Sequence, residues 1–334
     1  MENEGKVVFV GAGPGNPELI TVKARNYIED ADVILYAGSL INPEILKWAR
    51  KDAELINTAE LTTEEVTEIM IRKAKEGKLV VRLKSGDFSI YGALTEELWA
   101  LQDAKIKYEF VPGITAALAA ASSLGIELTL PKISQTVIIT RASGNVPMIG
   151  SLKDFAPLIY KGASLVIYTG VHIIDKVVSE LREAGIKEDQ PVAVVYKATW
   201  DEEKIVRGTL SDIAEKVKKE KITRDAVILL GEILNPEKYK GKIRSSAYDP
   251  NFITGFRSNK VKDPLKYFEM RYKVDKGFGE EYLKYLILAV KEEEKNSTDK
   301  NKIKELKSKI EMVLSEAKVN PRLREEAEKI LKKL

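Results

Sequence analysis

The pattern of apolar and polar residues in the first third of the chain predicts strands that alternate with helices. Short β-branched and aromatic runs predict four strands, at 7–10, 33–36, 79–83 and 108–111. Segments with helical spacing lie between them, and most open on residues that favour helix N-termini; they predict helices at 17–30, 42–50, 62–76 and 92–103. Such alternation is typical of a parallel sheet with helices on both faces.

A second series of elements follows a helix of small residues at 115–124, which Gly125 ends. Five further strands are predicted, at 136–140, 164–168, 192–196, 205–209 and 226–230, with helices at 171–184 and 211–219. We therefore predict two α/β domains, one over 1–115 and one over 116–248.

The character of the chain changes after about residue 245. Segment 251–334 carries 21 Lys and Arg residues against 15 Asp and Glu residues. Its apolar residues fall in short helical stripes, among them Ile303, Leu306 and Ile310. We interpret 249–334 as a charged, mostly helical extension, and the sequence does not indicate its role.

Composition excludes several kinds of chemistry. The 334 residues include no Cys and a single His, His172. Disulfides, Cys nucleophiles, Ser-His-Asp triads and multi-histidine metal sites are therefore not expected, and we predict no metal. A net charge of +3 gives no support for nucleic-acid binding. No signal peptide or long apolar run is present, so we expect a soluble, cytoplasmic protein that does not enter a membrane.

Glycine-rich loops follow several of the predicted strands. The loop at 11–15 resembles a dinucleotide-binding loop, but Asn16 replaces the third glycine of G-x-G-x-x-G, and no Gly-Lys-Ser/Thr follows. Open α/β sheets bind ligands at the carboxyl ends of their strands. Six loops lie at such positions, at 11–15, 38–40, 84–92, 112–116, 169–170 and 197–199. Together they predict one ligand cleft.

These loops also carry motifs that resemble a known family. GAGPGNPELIT (11–21), SGDFSIYG (85–92) and VPGITA (111–116) resemble signatures of the tetrapyrrole (corrin/porphyrin) methyltransferases, the class III enzymes that use S-adenosylmethionine. Three longer segments are similar to the branch that methylates C11 of precorrin-4, or of its cobalt form, in cobalamin synthesis; they are 36–46, 121–141 and 191–210. The resemblance covers roughly 6–245. Phe88 departs from the usual proline of the family, and the segment after 250 has no counterpart.

The resemblance implies a two-domain class III methyltransferase fold, with S-adenosylmethionine bound between the domains and S-adenosylhomocysteine as product. It also implies a homodimer. Carried over residue by residue, it implies ten cofactor-binding residues: Pro14, Ser85, Gly86, Asp87, Ile90, Thr115, Ala116, Thr169, Ala198 and Ala226.

The implied substrate is a polycarboxylate tetrapyrrole, which cationic side chains would recognise. Four cations lie in or beside the motifs: Lys84, Lys132, Arg141 and Lys197. Methyl transfer from a sulfonium mainly requires that the two reactants are aligned. Such alignment can lower the activation barrier by roughly 7–11 kcal/mol. If a general base removes a ring proton, Asp87 and Tyr91 are the candidates.

Two alternatives stay open at this point. The chain fits other members of the family, namely a uroporphyrinogen methylase, a different precorrin methylase or diphthine synthase. It also fits a non-catalytic module that senses a corrinoid or S-adenosylmethionine for a partner docked on 251–334. Whether the substrate already contains cobalt is likewise undecided.

Overall fold

A computed structural model describes residues 5–144, 146–245, 263–296 and 299–332. The chain divides into two compact units, 1–236 and 237–334. The first unit contains two sheets with their helices, and the second is helical. The boundary predicted at 248–249 lies outside the described residues.

The first sheet is parallel throughout, with the strand order β3-β2-β4-β1-β5. Its strands are β1 (Lys6–Gly11), β2 (Val33–Tyr36), β3 (Glu54–Asn57), β4 (Leu79–Lys84) and β5 (Lys107–Val111). The sequence pattern did not predict β3. It is an edge strand whose side chains are largely exposed, so it carries almost no hydrophobic signal.

Helices cover both faces of this sheet. They are α1 (Val22–Asp30), α2 (Thr63–Lys75) and α3 (Leu94–Asp103). Val8 and Val10 of β1 pack on the α1 side, whereas Val7 and Phe9 pack on the side of α2 and α3. The period of two along the strand therefore gives each face its own apolar layer.

Two of the predicted helices differ from the prediction: one starts later, and the other is a 3₁₀ segment. Asn16 caps a single 3₁₀ turn, Pro17–Leu19, and α1 starts only at Val22, where the Thr21 side chain accepts from Ala24 N–H. The helix predicted at 42–50 is a 3₁₀ segment, Pro43–Trp48. Ile45 of that segment is buried in the core, and this tertiary packing overrides the local helical pattern.

The second sheet is mixed, with the order β6-β7-β10-β8-β9. Its strands are β6 (Val137–Arg141), β7 (Ser164–Tyr168), β8 (Pro191–Tyr196), β9 (Lys204–Thr209) and β10 (Ala226–Leu230). Only β6 and β7 run parallel, because β10 is antiparallel to both of its neighbours and β9 is antiparallel to β8.

The helices of the second sheet also occupy both faces. They are α4 (Ala116–Leu124), α5 (Ala156–Tyr160), α6 (Ile174–Glu183) and α7 (Ile213–Lys219). The alanines of α4 pack in one apolar cluster with Val166, Val195 and Leu229, so this small-residue helix belongs to the core. The opposite face packs against α6 and α7.

The described residues of the second unit form four α-helices with an apolar core of their own. They are α8 (Pro264–Val274), α9 (Gly279–Asn296), α10 (Lys300–Glu316) and α11 (Pro321–Leu331). Leu286, Ile310 and Ile330 are among the buried residues of that core. The predicted α/β fold with a C-terminal helical extension is therefore confirmed.

Candidate active site

Three loops at the carboxyl end of the first sheet meet backbone to backbone. Gly13 N–H donates to Gly86 O at 3.1 Å, and Gly86 N–H donates to Gly13 O at 2.8 Å. Gly113 approaches both Gly86 and Gly11 so closely that a Cβ at this position would overlap with the Gly86 carbonyl. The glycines therefore allow the loops after β1, β4 and β5 to form one continuous edge.

Asp87 fixes two of these loops. Its carboxylate accepts hydrogen bonds from Gly113 N–H and Ser89 N–H, both at 2.8 Å, and from the Ser89 hydroxyl. Burial opposes ionisation of this carboxyl, but the bonds from Ser89 and Gly113 outweigh it and lower the pKa of Asp87 below its ordinary value. Asp87 is therefore a carboxylate at neutral pH that orients the loops after β4 and β5.

A cavity of about 250 Å³ opens between these loops and the strand ends of the second sheet. All ten residues that the motifs implied for the cofactor line it: Pro14, Ser85, Gly86, Asp87, Ile90, Thr115, Ala116, Thr169, Ala198 and Ala226. Hereafter we call this cavity the cleft. The structure thus brings together residues that are up to 212 positions apart in the sequence.

Other residues that were not among the ten predicted cofactor residues also line the cleft, notably Leu40, Tyr168, Val195, Trp200 and Asp225. Trp200 lies within the recognised segment 191–210, and Tyr168 ends β7 directly before the predicted loop 169–170. Neither has a spacing that marks it in the sequence.

Trp200 and Tyr168 join the two halves of the first unit. The Trp200 indole N–H donates to Pro14 O at 2.9 Å, and Asn16 N–H donates to Thr199 Oγ1 at 3.1 Å. The Tyr168 hydroxyl accepts from Ala117 N–H at 2.7 Å and is hydrogen-bonded to Thr115. Both aromatic residues therefore hold first-sheet loops against the second sheet at the walls of the cleft.

Backbone strain is concentrated at the cleft. Nine non-glycine residues in the described part of the chain have left-handed φ values, and four of them line the cleft: Tyr91, Thr169, Lys197 and Asp225. This region of φ is unfavourable for residues with a Cβ and persists where the surroundings impose it. An accumulation of such residues around one cavity points to a binding site.

The four candidate substrate cations lie in different environments. Lys197 lines the cleft, 4.7 Å above the Trp200 ring, with Glu202 at 3.4 Å. Lys84 is buried beside Glu97 and lines a smaller neighbouring cavity. Arg141 donates to the Val146 and Pro147 carbonyls at 3.3 and 2.5 Å, and Lys132 is exposed; neither lines the cleft.

The two candidate bases differ in exposure. Asp87 is buried, and its oxygens are already used as acceptors. Tyr91 is 55% exposed and lines the cleft, with its ring centroid 5.8 Å from that of Tyr168. Among the described residues, no hydrogen bond to the Tyr91 hydroxyl is found, whereas the Asp87 carboxylate accepts several.

Phe88, which stands where the family has proline, has a packing role. Its ring centroid lies 5.6 Å from that of Phe110, and it packs against the apolar cluster on the side of α2 and α3. Phe88 is not among the residues that line the cleft, whereas its neighbours Asp87 and Ile90 are.

The described residues contain no group of three His, Asp or Glu side chains that could hold a metal ion. Within the same part of the chain, no helix is long and apolar enough to cross a membrane.

Two α/β halves with a cleft at the ends of their strands fit the class III methyltransferase fold that the sequence motifs implied, and the comparison with known families agrees. Residues 6–214 match the model of the Tetrapyrrole (Corrin/Porphyrin) Methylases. The chain belongs to this family, as the motifs at the strand ends predicted.

Individual relatives are similar over most of the chain. A cobalt-precorrin-4 C(11)-methyltransferase of Methanocaldococcus jannaschii is 51% identical over 264 residues, which cover 78% of this chain and all of that protein. The X-ray structure of a cobalt-precorrin-4 methyltransferase is 39% identical, has a TM-score of 0.67, and covers 70% of this chain and 97% of that one. The structure of a uroporphyrin-III C-methyltransferase from Thermus thermophilus in complex with S-adenosylhomocysteine is 30% identical and has a TM-score of 0.60. The match covers 69% of this chain and 99% of that one.

Proposed function

We propose that this chain transfers a methyl group from S-adenosylmethionine to C11 of cobalt-precorrin-4, in the synthesis of cobalamin. The observation that carries the proposal is the convergence of all ten motif residues on one cleft. The relative with 51% identity favours the cobalt form of the substrate over the cobalt-free form.

The residues of the cleft fit the proposed cofactor. Its lining combines apolar side chains, such as Pro14, Ile90 and Val195, with a few polar groups, as small-molecule sites usually do. The close packing at Gly113 leaves backbone rather than side chains at the edge where the three loops meet. The hydroxyls of Thr115 and Thr169, and the lone pairs that remain on the Asp87 carboxylate, supply acceptors for the hydroxyl and amino groups of such a molecule.

The bound cofactor supplies an electrophilic methyl group on a sulfonium, so the protein's task is to align the acceptor carbon and exclude water. Asp87 holds the loop 85–87 in place and, because its pKa is lowered, is a poor proton acceptor at neutral pH. Tyr91 is the better placed of the two candidates to contact a proton on the substrate. Lys197 is the candidate cation that lines the same cleft and is available to a substrate carboxylate.

The test is methyl transfer by the full chain to three substrates: cobalt-precorrin-4, precorrin-4 and uroporphyrinogen III. Mass spectrometry is expected to show one added methyl group on cobalt-precorrin-4, with S-adenosylhomocysteine formed in equal amount. Preferred methylation of uroporphyrinogen III would assign the chain to another branch of the family. Tight S-adenosylhomocysteine binding without transfer to any of the three would favour the non-catalytic module.

We further propose a homodimer built on residues 1–245, as the family resemblance implies. Light scattering on the full chain is expected to give twice the monomer mass of 37.4 kDa. A monomer that is fully active in the same buffer would contradict this assembly.

A further inference from the structure

Beside the cleft lies a second, smaller cavity, which we call the side pocket. It has a volume of about 230 Å³, and its lining includes Leu40, Thr63, Lys84, Ser85, Tyr91 and Glu97. Leu40, Ser85, Ile90 and Tyr91 line both cavities, so the side pocket adjoins the cleft directly. A cavity of this size is too small for a whole tetrapyrrole, and it suits one carboxylate arm of such a molecule.

The lining of the side pocket carries an excess of positive charge. Arg82, Lys84 and Glu97 all line it, and each of the three side chains is less than 10% exposed. Glu97 is the single acid among the described lining residues, so two buried cations share one carboxylate. A buried cluster with unbalanced charge is unfavourable unless a further counter-charge completes it.

Arg82 is already committed through three of its five N–H donors. Its Nε and Nη2 donate to Glu97 Oε1 at 3.3 and 3.2 Å, and its Nη1 donates to Thr58 Oγ1 at 3.2 Å. Lys84 is not. Its ammonium lies 2.8 Å from Glu97 Oε2, close enough for an ion pair, but that oxygen accepts no aligned hydrogen bond from the described residues. An ammonium has three donors, so Lys84 retains the capacity to bind a second anion.

Two further features favour an anion here. Burial, reinforced by the neighbouring Arg82, lowers the pKa of Lys84, and a bound anion would relieve this effect. The N-terminus of α3 also lies at the pocket, since Gly92, Ala93 and Glu97 line it. Ala93 is the N-cap residue and provides no side-chain cap, so the first backbone N–H groups of the helix add positive potential.

We infer that the side pocket binds one carboxylate arm of the tetrapyrrole substrate through Lys84, next to the cofactor that occupies the adjoining cleft. This inference rests on the proposed function. It assigns Lys84 to substrate recognition rather than to cofactor binding. The ion pair with Glu97 then holds the Lys84 ammonium in position.

The test compares Lys84→Met with the parent chain in steady-state methyl transfer to cobalt-precorrin-4. Met has the length of the lysine stem without its charge, and Arg82 remains to pair with Glu97. We expect KM for the tetrapyrrole to rise at least tenfold, whereas calorimetry with S-adenosylhomocysteine shows affinity within twofold of the parent. Free propionate, as a probe of the pocket, is expected to inhibit the parent competitively against the tetrapyrrole and to lose that effect in Lys84→Met.

A second variant and a control separate this role from a structural one. Thr63→Phe narrows the pocket from α2 with all three charges intact, and it is expected to raise the same KM. Lys47→Met removes an exposed cation that pairs with Glu44 outside both cavities, and its KM should match the parent.

An unchanged tetrapyrrole KM in both Lys84→Met and Thr63→Phe would overturn the assignment and leave the proposed function standing. A loss of S-adenosylhomocysteine affinity in Lys84→Met with an unchanged KM would also overturn it, because Lys84 would then serve the cofactor. If the parent does not methylate the tetrapyrrole at all, the proposed function fails and this assignment fails with it.

Discussion

Replacing Asp87 by alanine is expected to weaken cofactor binding without unfolding the chain. The change removes the acceptor for Gly113 N–H and for both donors of Ser89, which frees the loops after β4 and β5 at one wall of the cleft. A hydrogen bond to a charged group contributes roughly 1.5–3 kcal/mol. If the loss of one such contact falls on binding, affinity for S-adenosylmethionine drops about tenfold to 150-fold, from a dissociation constant in the micromolar range.

The assay is isothermal titration calorimetry with S-adenosylmethionine and S-adenosylhomocysteine, together with thermal unfolding of each variant. Asp87→Asn retains one acceptor oxygen and is expected to give an intermediate affinity. Asp103→Ala, at the exposed end of helix α3, removes an aspartate away from the cleft and should bind as the parent does. Parent-like affinity in folded Asp87→Ala would refute the role of Asp87 in the site.

Four further predictions follow from the same structure. A Cβ at Gly15 would overlap with the Trp200 ring, so Gly15→Ala should lower the free energy of unfolding by about 1–3 kcal/mol and weaken S-adenosylhomocysteine binding. Denaturant titration measures the first effect and calorimetry the second. Parent-like values in both would contradict the packing. Trp200→Phe keeps an aromatic ring, although a smaller one, and loses the hydrogen bond to Pro14. A stability loss of at least about 0.5–1.5 kcal/mol is expected, against none for an exposed change such as Trp99→Phe. Hydrogen bonds lower the pKa of Asp87 in the folded state, so the stabilisation by its carboxylate is present above the unfolded pKa of about 3.9. That stabilisation is lost as the pH falls through the folded pKa. The difference in Tm between the parent and Asp87→Asn should therefore shrink in acid and stay constant from about pH 5 to 7. Finally, residues 1–248 alone should retain methyl transfer. If the folded fragment instead lost most of its kcat/KM, and the loss were greatest at low salt, the basic extension would contribute to attracting the anionic substrate.

Much of the fold followed from local pattern, and the exceptions have physical reasons. Strands with buried apolar runs, such as β1 and β10, were predicted within one residue at each end. Edge strand β3 was missed because most of its side chains face solvent, and Pro43–Trp48 was predicted as an α-helix because local spacing does not report the tertiary packing of Ile45.

The candidate site was predictable only in part. Glycine loops at strand ends have a sequence signature, because close backbone approach excludes other residues. The hydrogen bond from Trp200 to Pro14 joins residues 186 positions apart, and no local pattern indicates it. The charge balance of Arg82, Lys84 and Glu97 likewise depends on two different elements, β4 and α3, that meet only in the folded chain.

The central claim is methylation at C11, and the most direct measurement is the position of the transferred methyl group. The full chain is incubated with cobalt-precorrin-4 and S-adenosylmethionine labelled with ¹³C in its methyl group, and the product is analysed by mass spectrometry and carbon NMR. We predict a single labelled methyl group, bonded to C11 of the macrocycle. A labelled methyl group on any other ring carbon, or none in a chain that binds S-adenosylhomocysteine, would contradict the account.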